Sequence, residues 1–224
     1  MMPTADLVVP VKPLAVAKSR LRGAADHGIG AQRAHARLAM ALARDTIAAV
    51  RAAEGVRHLI VVSSDPVVAA ELGVFGVEVI PDGPVPGLNS AYERGAALVR
   101  KRDPAAVVGA LQADLPALRP AELDAAIAAA LTLFRAGAQR AFSPDAEGTG
   151  TTFLLAAAGV PLDPRFGVSS AQHHEESGAC RLRGEWPGLL QDVDTADDLR
   201  AAADLGLGEH TRQVMAPTVC IKPG

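Results

Sequence analysis

"VVPVKPLAVAKSRL", residues 8–21, runs an apolar segment of β character straight into a loop that carries Lys12, Lys18 and Arg20. Outward from it, stretches rich in β-branched residues alternate with Ala-rich helical ones, the pattern of a largely parallel sheet flanked by helices. Strands are expected over 6–11, 58–63, 77–80, 106–111, 140–143 and 152–157, and helices over 32–53, 66–72, 90–100, 120–136 and 195–205. No repeat and no long low-complexity linker divides the chain, so a single domain over 1–208 is expected. The tail 209–224, "EHTRQVMAPTVCIKPG", loses periodicity and reads as poorly ordered or packed on a partner.

With 224 residues, 49% of them hydrophobic, the chain can bury a substantial core. Its formal net charge is −3, so three cations gathered after the first strand are not part of a generally basic surface. One Trp, one Tyr and five Phe leave little to stack on bases, and polynucleotide binding is not expected. Cys180 and Cys220 form no CxxC pair, and no segment reads as a signal peptide or membrane span, which fits a reducing cytoplasm.

In an open parallel sheet, ligands bind beyond the carboxyl ends of the strands, so Lys12, Lys18 and Arg20 sit where an anionic ligand would lie. The P-loop pattern GxxxxGK[ST] is absent, and a solvated basic loop is the plain alternative. "GALQADLPALRP" (109–120) places Asp114 directly after an apolar strand, aimed at the same crevice. A hard cation such as Mg²⁺ takes one or two carboxylates together with substrate phosphates; a turn-capping role is the plain alternative. "LLQDVDTADDL" (189–199) sets Asp192 and Asp194 before Thr195, which reads as a helix N-cap. In extended backbone these two carboxylates face one side and can share a metal with Asp114.

"EGTGTTFLLA" (147–156) lacks the third glycine and the setting of a dinucleotide fingerprint, but its backbone N–H groups and Thr hydroxyls can cradle a small anion. "PRFGVSSAQHHEESGA" (164–179) supplies Gly167 and then Ser169 and Ser170, where a short helix can begin and its free amides can meet an anion. His173 and His174 do not make HExxH, so zinc is not expected. "PDGPVPGLNSAYERG" (81–95) is a Gly/Pro loop in which Asn89 reads the edge of a nucleobase or, equally, the loop is a connector with Ser90 as cap.

Taken together these residues resemble the guanylyltransferases of deazaflavin coenzyme (F-420) biosynthesis, relatives of the molybdenum-cofactor guanylyltransferase-like nucleotidyltransferases. The blocks that carry the resemblance are "VKPLAVAKSRL", "DGPVPGLNSA", "ADLPAL", "GTGT", "RFGVSS" with the following His and "SGA", and "WPGLLQDVDTADDL". They occur in order over about residues 5–207, and Ala113 stands where many relatives have Gly. The resemblance implies a three-layer α/β/α nucleotidyltransferase of nucleotide-diphospho-sugar transferase type with a mostly parallel sheet. It also implies a GTP donor, Mg²⁺ and a small phosphorylated three-carbon acid as acceptor. By position, Asp114, Asp192 and Asp194 would hold metal, and Thr151, Gly167 and Ser170 would bind the acceptor. Lys12, Lys18 and Arg20 would meet the triphosphate, with Lys18 and Asp114 acting on the reacting groups.

The implied reaction is transfer of GMP from GTP to phosphoenolpyruvate with release of pyrophosphate. The same reaction on 2-phospho-L-lactate and a molybdopterin-type nucleotidyl transfer are the alternatives, and a silent nucleotide-binding regulator is the reading from another class. A phosphate nucleophile is already ionised near neutral pH, so no Ser–His–Asp or Cys–His constellation is needed. No nucleic-acid or membrane partner is expected, and a homo-oligomer is compatible with the sequence.

Overall fold

The computed structural model describes residues 4–14, 21, 23–26 and 28–216. Strands β1 (Ala5–Pro10), β2 (Val56–Val62), β3 (Glu78–Ile80), β4 (Val108–Leu111), β5 (Arg140–Pro144), β6 (Thr151–Ala156) and β7 (Cys180–Arg181) form a 7-stranded sheet in the order β3-β2-β1-β4-β6-β5-β7. β1 pairs in parallel with β2 and β4, and β5 with β7, while β6 runs antiparallel to both β4 and β5. The helices in chain order are α1 (Gln32–Ala52), α2 (Pro66–Gly73), α3 (Leu88–Arg102), α4 (Pro120–Arg135), α5 (Ser170–Glu176), α6 (Pro187–Leu190), α7 (Ala196–Leu205) and α8 (Glu209–Met215).

Alternation along β1 sorts the helices into two layers, because successive strand side chains point to opposite faces. Leu7 and Val9 pack with Ala43, Ile47 and Val50 of α1 and with Leu123 and Ile127 of α4. Val8 packs the other way, with Ala91, Tyr92, Ala96 and Val99 of α3 and with Ala171 of α5. The result is the expected three-layer α/β/α arrangement, with each fully buried Leu, Ile or Val contributing about 1.5–3 kcal/mol. α3 lies so close to β1 that a Cβ on Gly95 would overlap the Val8 side chain.

One end of the sheet is closed by ions. Asp6, buried at the start of β1, accepts from Arg57 Nε (2.9 Å) and Nη2 (2.7 Å), and Arg57 also reaches Asp103 at 2.7 Å. The opposite end, past Pro10 and Leu111 and before Thr151, is open.

The expectation of a poorly ordered tail is corrected for 209–216. α8 follows α7 directly and is anchored by Asp45 of α1, whose carboxylate accepts from His210 N (2.9 Å) and Thr211 N (2.8 Å). Gly208 N donates to Pro116 O at 2.7 Å, tying the same joint to the loop after β4. Residues 217–224 lie outside the described residues. Since Asp45 supplies from a distance the cap that the local sequence lacks, Asp45→Ala should release α8 at a cost of about 1–3 kcal/mol. Hydrogen exchange is the check: amides of 209–215 should lose protection while those of β1 and β4 keep theirs. Unchanged protection in α8 would refute the anchor.

Candidate functional site

The open end of the sheet holds a cavity of about 700 Å³ between the ends of β1 and β4 and the start of β6. Lys12, Asp114, Thr151, Gly167, Ser170, Asp192 and Asp194 all line it, so most of the residues singled out in the sequence meet at one place. Lys18 and Arg20 lie outside the described residues.

The acidic side is built from two chain segments far apart in sequence. Beyond β4 the chain turns at Gln112, whose N–H extends the β4–β6 ladder to Thr152 O (2.9 Å). Thr46, buried in α1, then grips the next three residues from behind: its Oγ1 lies 3.1 Å from Ala113 O and accepts from Leu115 N at 2.9 Å. Asp114, 8% exposed, is thereby turned toward the cavity. Its carbonyl accepts from Val193 N (3.1 Å), and this bond places Asp192 and Asp194 beside it. Thr195 caps α7 as expected, with Asp198 closing the capping box. Among the described residues, however, no group of three or more His, Cys, Asp or Glu is close enough to hold a metal ion by itself. These carboxylates fit a cation that takes one or two of them and completes its oxygen shell with ligand phosphates, the habit of Mg²⁺.

The opposite side is built on aromatic packing. Tyr92 of α3 is fully buried and stacks on Phe166 at 4.5 Å, and Phe166 meets His174 edge-on at 5.3 Å. Burial, reinforced by the charge of Asp114, holds the Tyr92 hydroxyl well above its ordinary pKa, so it stays neutral. Asn89 bonds backbone, a role the sequence did not suggest. Its Nδ2 donates to Phe166 O (3.1 Å) and its Oδ1 accepts from Phe166 N (2.9 Å), so both faces of the amide clamp the 166 segment. Ser90 is not the cap: α3 begins earlier, with Gly87 as N-cap, and Ser90 bonds Pro86 O. Gly167 follows the clamp at φ +136°, a conformation open to glycine, and leads into the left-handed Ser169.

The "GTGT" turn joins β5 to β6 as a hairpin. Its amides are not the anion cradle expected, because Asp145 fills it. The Asp145 carboxylate accepts from Thr149 N (2.9 Å) and Gly150 N (2.8 Å), and Gly148 N donates to Asp145 O. What the turn presents instead is hydroxyl chemistry. Ser170 Oγ donates to Thr151 Oγ1 (3.1 Å), and Thr151 Oγ1 lies 3.0 Å from His174 Nδ1. Arg165 N donates to His174 Nε2 at 3.0 Å, so the imidazole proton sits on Nδ1 and points at Thr151. With both acceptor positions of Thr151 filled, its own O–H is left to donate. Burial pushes the His174 pKa down to about 4, with the charges of Arg165 and His173 adding to the shift and Asp163 opposing it. His174 and Asp145 were not foreseen as parts of the site.

The chain is similar to proteins of known name and to solved structures. A phosphoenolpyruvate guanylyltransferase of Salinispora arenicola is 54% identical, over 92% of this chain and 90% of the relative. One from Thermomonospora curvata is 48% identical, over 99% and 92%. Among solved structures, a nucleotidyl transferase from Methanothermobacter thermautotroptrophicus superposes with a TM-score of 0.59 at 19% identity, over 90% of this chain and 97% of that one. A 4-diphosphocytidyl-2C-methyl-D-erythritol synthase superposes with a TM-score of 0.60 at 14% identity, over 92% and 99%. Protein-family models give no match. Identity near one half over nearly the whole length fixes the affiliation: the chain belongs to the phosphoenolpyruvate guanylyltransferase family.

Proposed function

We propose that the protein transfers GMP from GTP to phosphoenolpyruvate and releases pyrophosphate, as a step of deazaflavin coenzyme biosynthesis. The observation that carries this reading is the division of one cavity into a carboxylate side, Asp114 with Asp192 and Asp194, and a hydroxyl side, Thr151 with Ser170. The first suits a triphosphate bridged by a cation, the second a small phospho-acid.

A phosphate oxygen of the acceptor attacks the α-phosphorus of GTP, the new P–O bond forms as the α–β bond breaks, and pyrophosphate leaves with the electron pair. The attacking oxygen is already ionised, so no side chain need take its proton. The chain's own contribution is to position the reactants and offset charge. Lys12 lies at the mouth after β1 and offsets triphosphate charge. Asp114 with Asp192 or Asp194 would hold Mg²⁺, which supplies charge neutralisation when bound. Thr151 O–H donates to the acceptor, and Ser170, its own proton given to Thr151 Oγ1, holds that donor in place. The N–H groups of Val168 and Ser169, which make no hydrogen bond among the described residues, add donors at the same wall.

Mixing GTP, Mg²⁺ and phosphoenolpyruvate should release pyrophosphate and give a product of the summed mass of GMP and the acid; 2-phospho-L-lactate in its place tests the alternative acceptor. No pyrophosphate with either acid would overturn the reading. Ser170→Ala and Thr151→Val should each raise the acceptor KM roughly 3- to 10-fold, the loss of one neutral hydrogen bond. GTP binding measured by calorimetry without acceptor should be unchanged. Loss of GTP binding with acceptor binding intact would exchange the two sides of the cavity.

A further inference from the structure

At the other end of the sheet, a second cavity of about 480 Å³ opens between α3, the start of β5 and the loop 161–163. Arg100 and Arg140 line it together with the apolar Ala96, Ala97 and Leu162 and the acidic Glu93 and Asp163. It is separate from the first cavity. Leu88, which borders the first, and Arg100 are twelve residues apart on α3, about 18 Å at 1.5 Å per residue.

The two arginines are unusual in what they lack. Nε and Nη2 of Arg100 and Nε of Arg140 are buried and have no hydrogen-bond partner, and Arg100 has no ion pair among the described residues. Burial alone lowers the Arg100 pKa, with no carboxylate to oppose it. Arg140 donates to Ser177 O (2.8 Å) and Pro161 O (3.4 Å) and lies 3.8 Å from Asp163, which is shared with Arg165 at 3.1 Å. Arg100 is half-buried, and two donor nitrogens of its guanidinium fork are withdrawn from water without an acceptor, a cost that native structures rarely tolerate without a reason. Phosphate and carboxylate are the groups whose geometry matches that fork.

We infer that this cavity is a binding site for a small organic anion, its phosphate or carboxylate head between Arg100 and Arg140 and its body against Ala96, Ala97 and Leu162. The inference does not depend on the reaction proposed for the first cavity. Because α3 and β5 both run from this site to the first cavity, an occupant touches two elements that border the reaction site.

The test uses inorganic phosphate and, in a separate arm, malonate, each against sodium chloride at equal ionic strength, with thermal melting of the full chain as the readout. Arg100→Met keeps the unbranched apolar stem and removes the fork; since the Arg100 side chain makes no hydrogen bond among the described residues, the variant should melt in chloride at or above the wild-type Tm. Phosphate binding in the first cavity would raise Tm in both proteins alike, so the deciding quantity is the difference between proteins: the anion-dependent rise in Tm should be less than half as large in Arg100→Met as in wild type. Which arm gives the larger difference identifies the head group. The inference is overturned by an equal rise in both proteins with both anions. A variant markedly less stable than wild type in chloride would likewise overturn it, since Arg100 then has a structural partner. So would a change of oligomeric state on sedimentation, which would assign the guanidinium to a second copy of the chain.

Discussion

Asp114→Asn is expected to lower turnover by about a thousandfold, or ~4 kcal/mol of transition-state stabilisation, while the protein stays folded. The backbone at this position is held independently of the carboxylate: Asp114 O by Val193 N, Ala113 and Leu115 by the Thr46 hydroxyl. Asn has the same shape, so neither clamp is disturbed and no cavity is created. What changes is one negative charge at the end of β4, where a cation and a triphosphate would be neutralised together. Steady-state turnover with saturating GTP and phosphoenolpyruvate, beside a melting curve, checks both halves of the expectation. Turnover within tenfold of wild type would remove Asp114 from the reaction; a collapse in Tm would show that its role is structural.

The parallel half of the sheet was legible because buried parallel strands are continuous apolar runs bounded by turn signals, as in 6–11 and 58–63. Strand direction is not written in such runs. β6 reads like its neighbours but runs against them, because the turn after β5 is short enough for a hairpin and Asp145 closes it. α8 was missed for a related reason: its cap is Asp45, 165 residues from His210.

Within the site, Asp114, Asp192 and Asp194 were legible from a carboxylate at the end of an apolar strand and a pair two residues apart. That they meet was expected too, but the bond from Val193 N to Asp114 O, between segments about eighty residues apart, carries no local sequence signal. The clamp by Asn89 was not legible because an amide serves equally to read a base or to hold a backbone, and its partner Phe166 lies 77 residues away. The anion cradle at "GTGT" was misread although its signal was present: an Asp shortly before a Gly-rich turn readily takes that turn's own amides. His174 was weighed only as a metal ligand, whereas Ser170, Ala171 and His174 at i, i+1 and i+4 mark the inward face of a short helix.

His174 should also set how stability responds to acid. Its folded-state pKa of about 4 lies below the ordinary 6.5, so the unfolded chain takes up a proton here that the folded chain refuses. Stability from this group is therefore full above pH 6.5 and is lost as pH falls toward 4, up to ~3 kcal/mol at 1.36 kcal/mol per unit. By pH 5 about 2 kcal/mol of it should be gone. Glu78 and Asp103, whose pKa values are lowered by Arg102 and Arg57 respectively, lose their contribution in the same direction but only below their ordinary values of 4.5 and 3.8. The interval from pH 8 to 5 thus isolates the imidazole from that pair. His174→Gln keeps an acceptor near Arg165 N but cannot titrate, so it should be less stable than wild type at pH 8 and show little further loss at pH 5. Urea unfolding of both proteins at the two pH values measures the difference. The acceptor KM of the variant should rise as well, because nothing then holds Thr151 with its O–H turned outward. Equal pH dependence in the two proteins would show that His174 is not the group that titrates, and an unchanged KM would show that Thr151 is oriented without it.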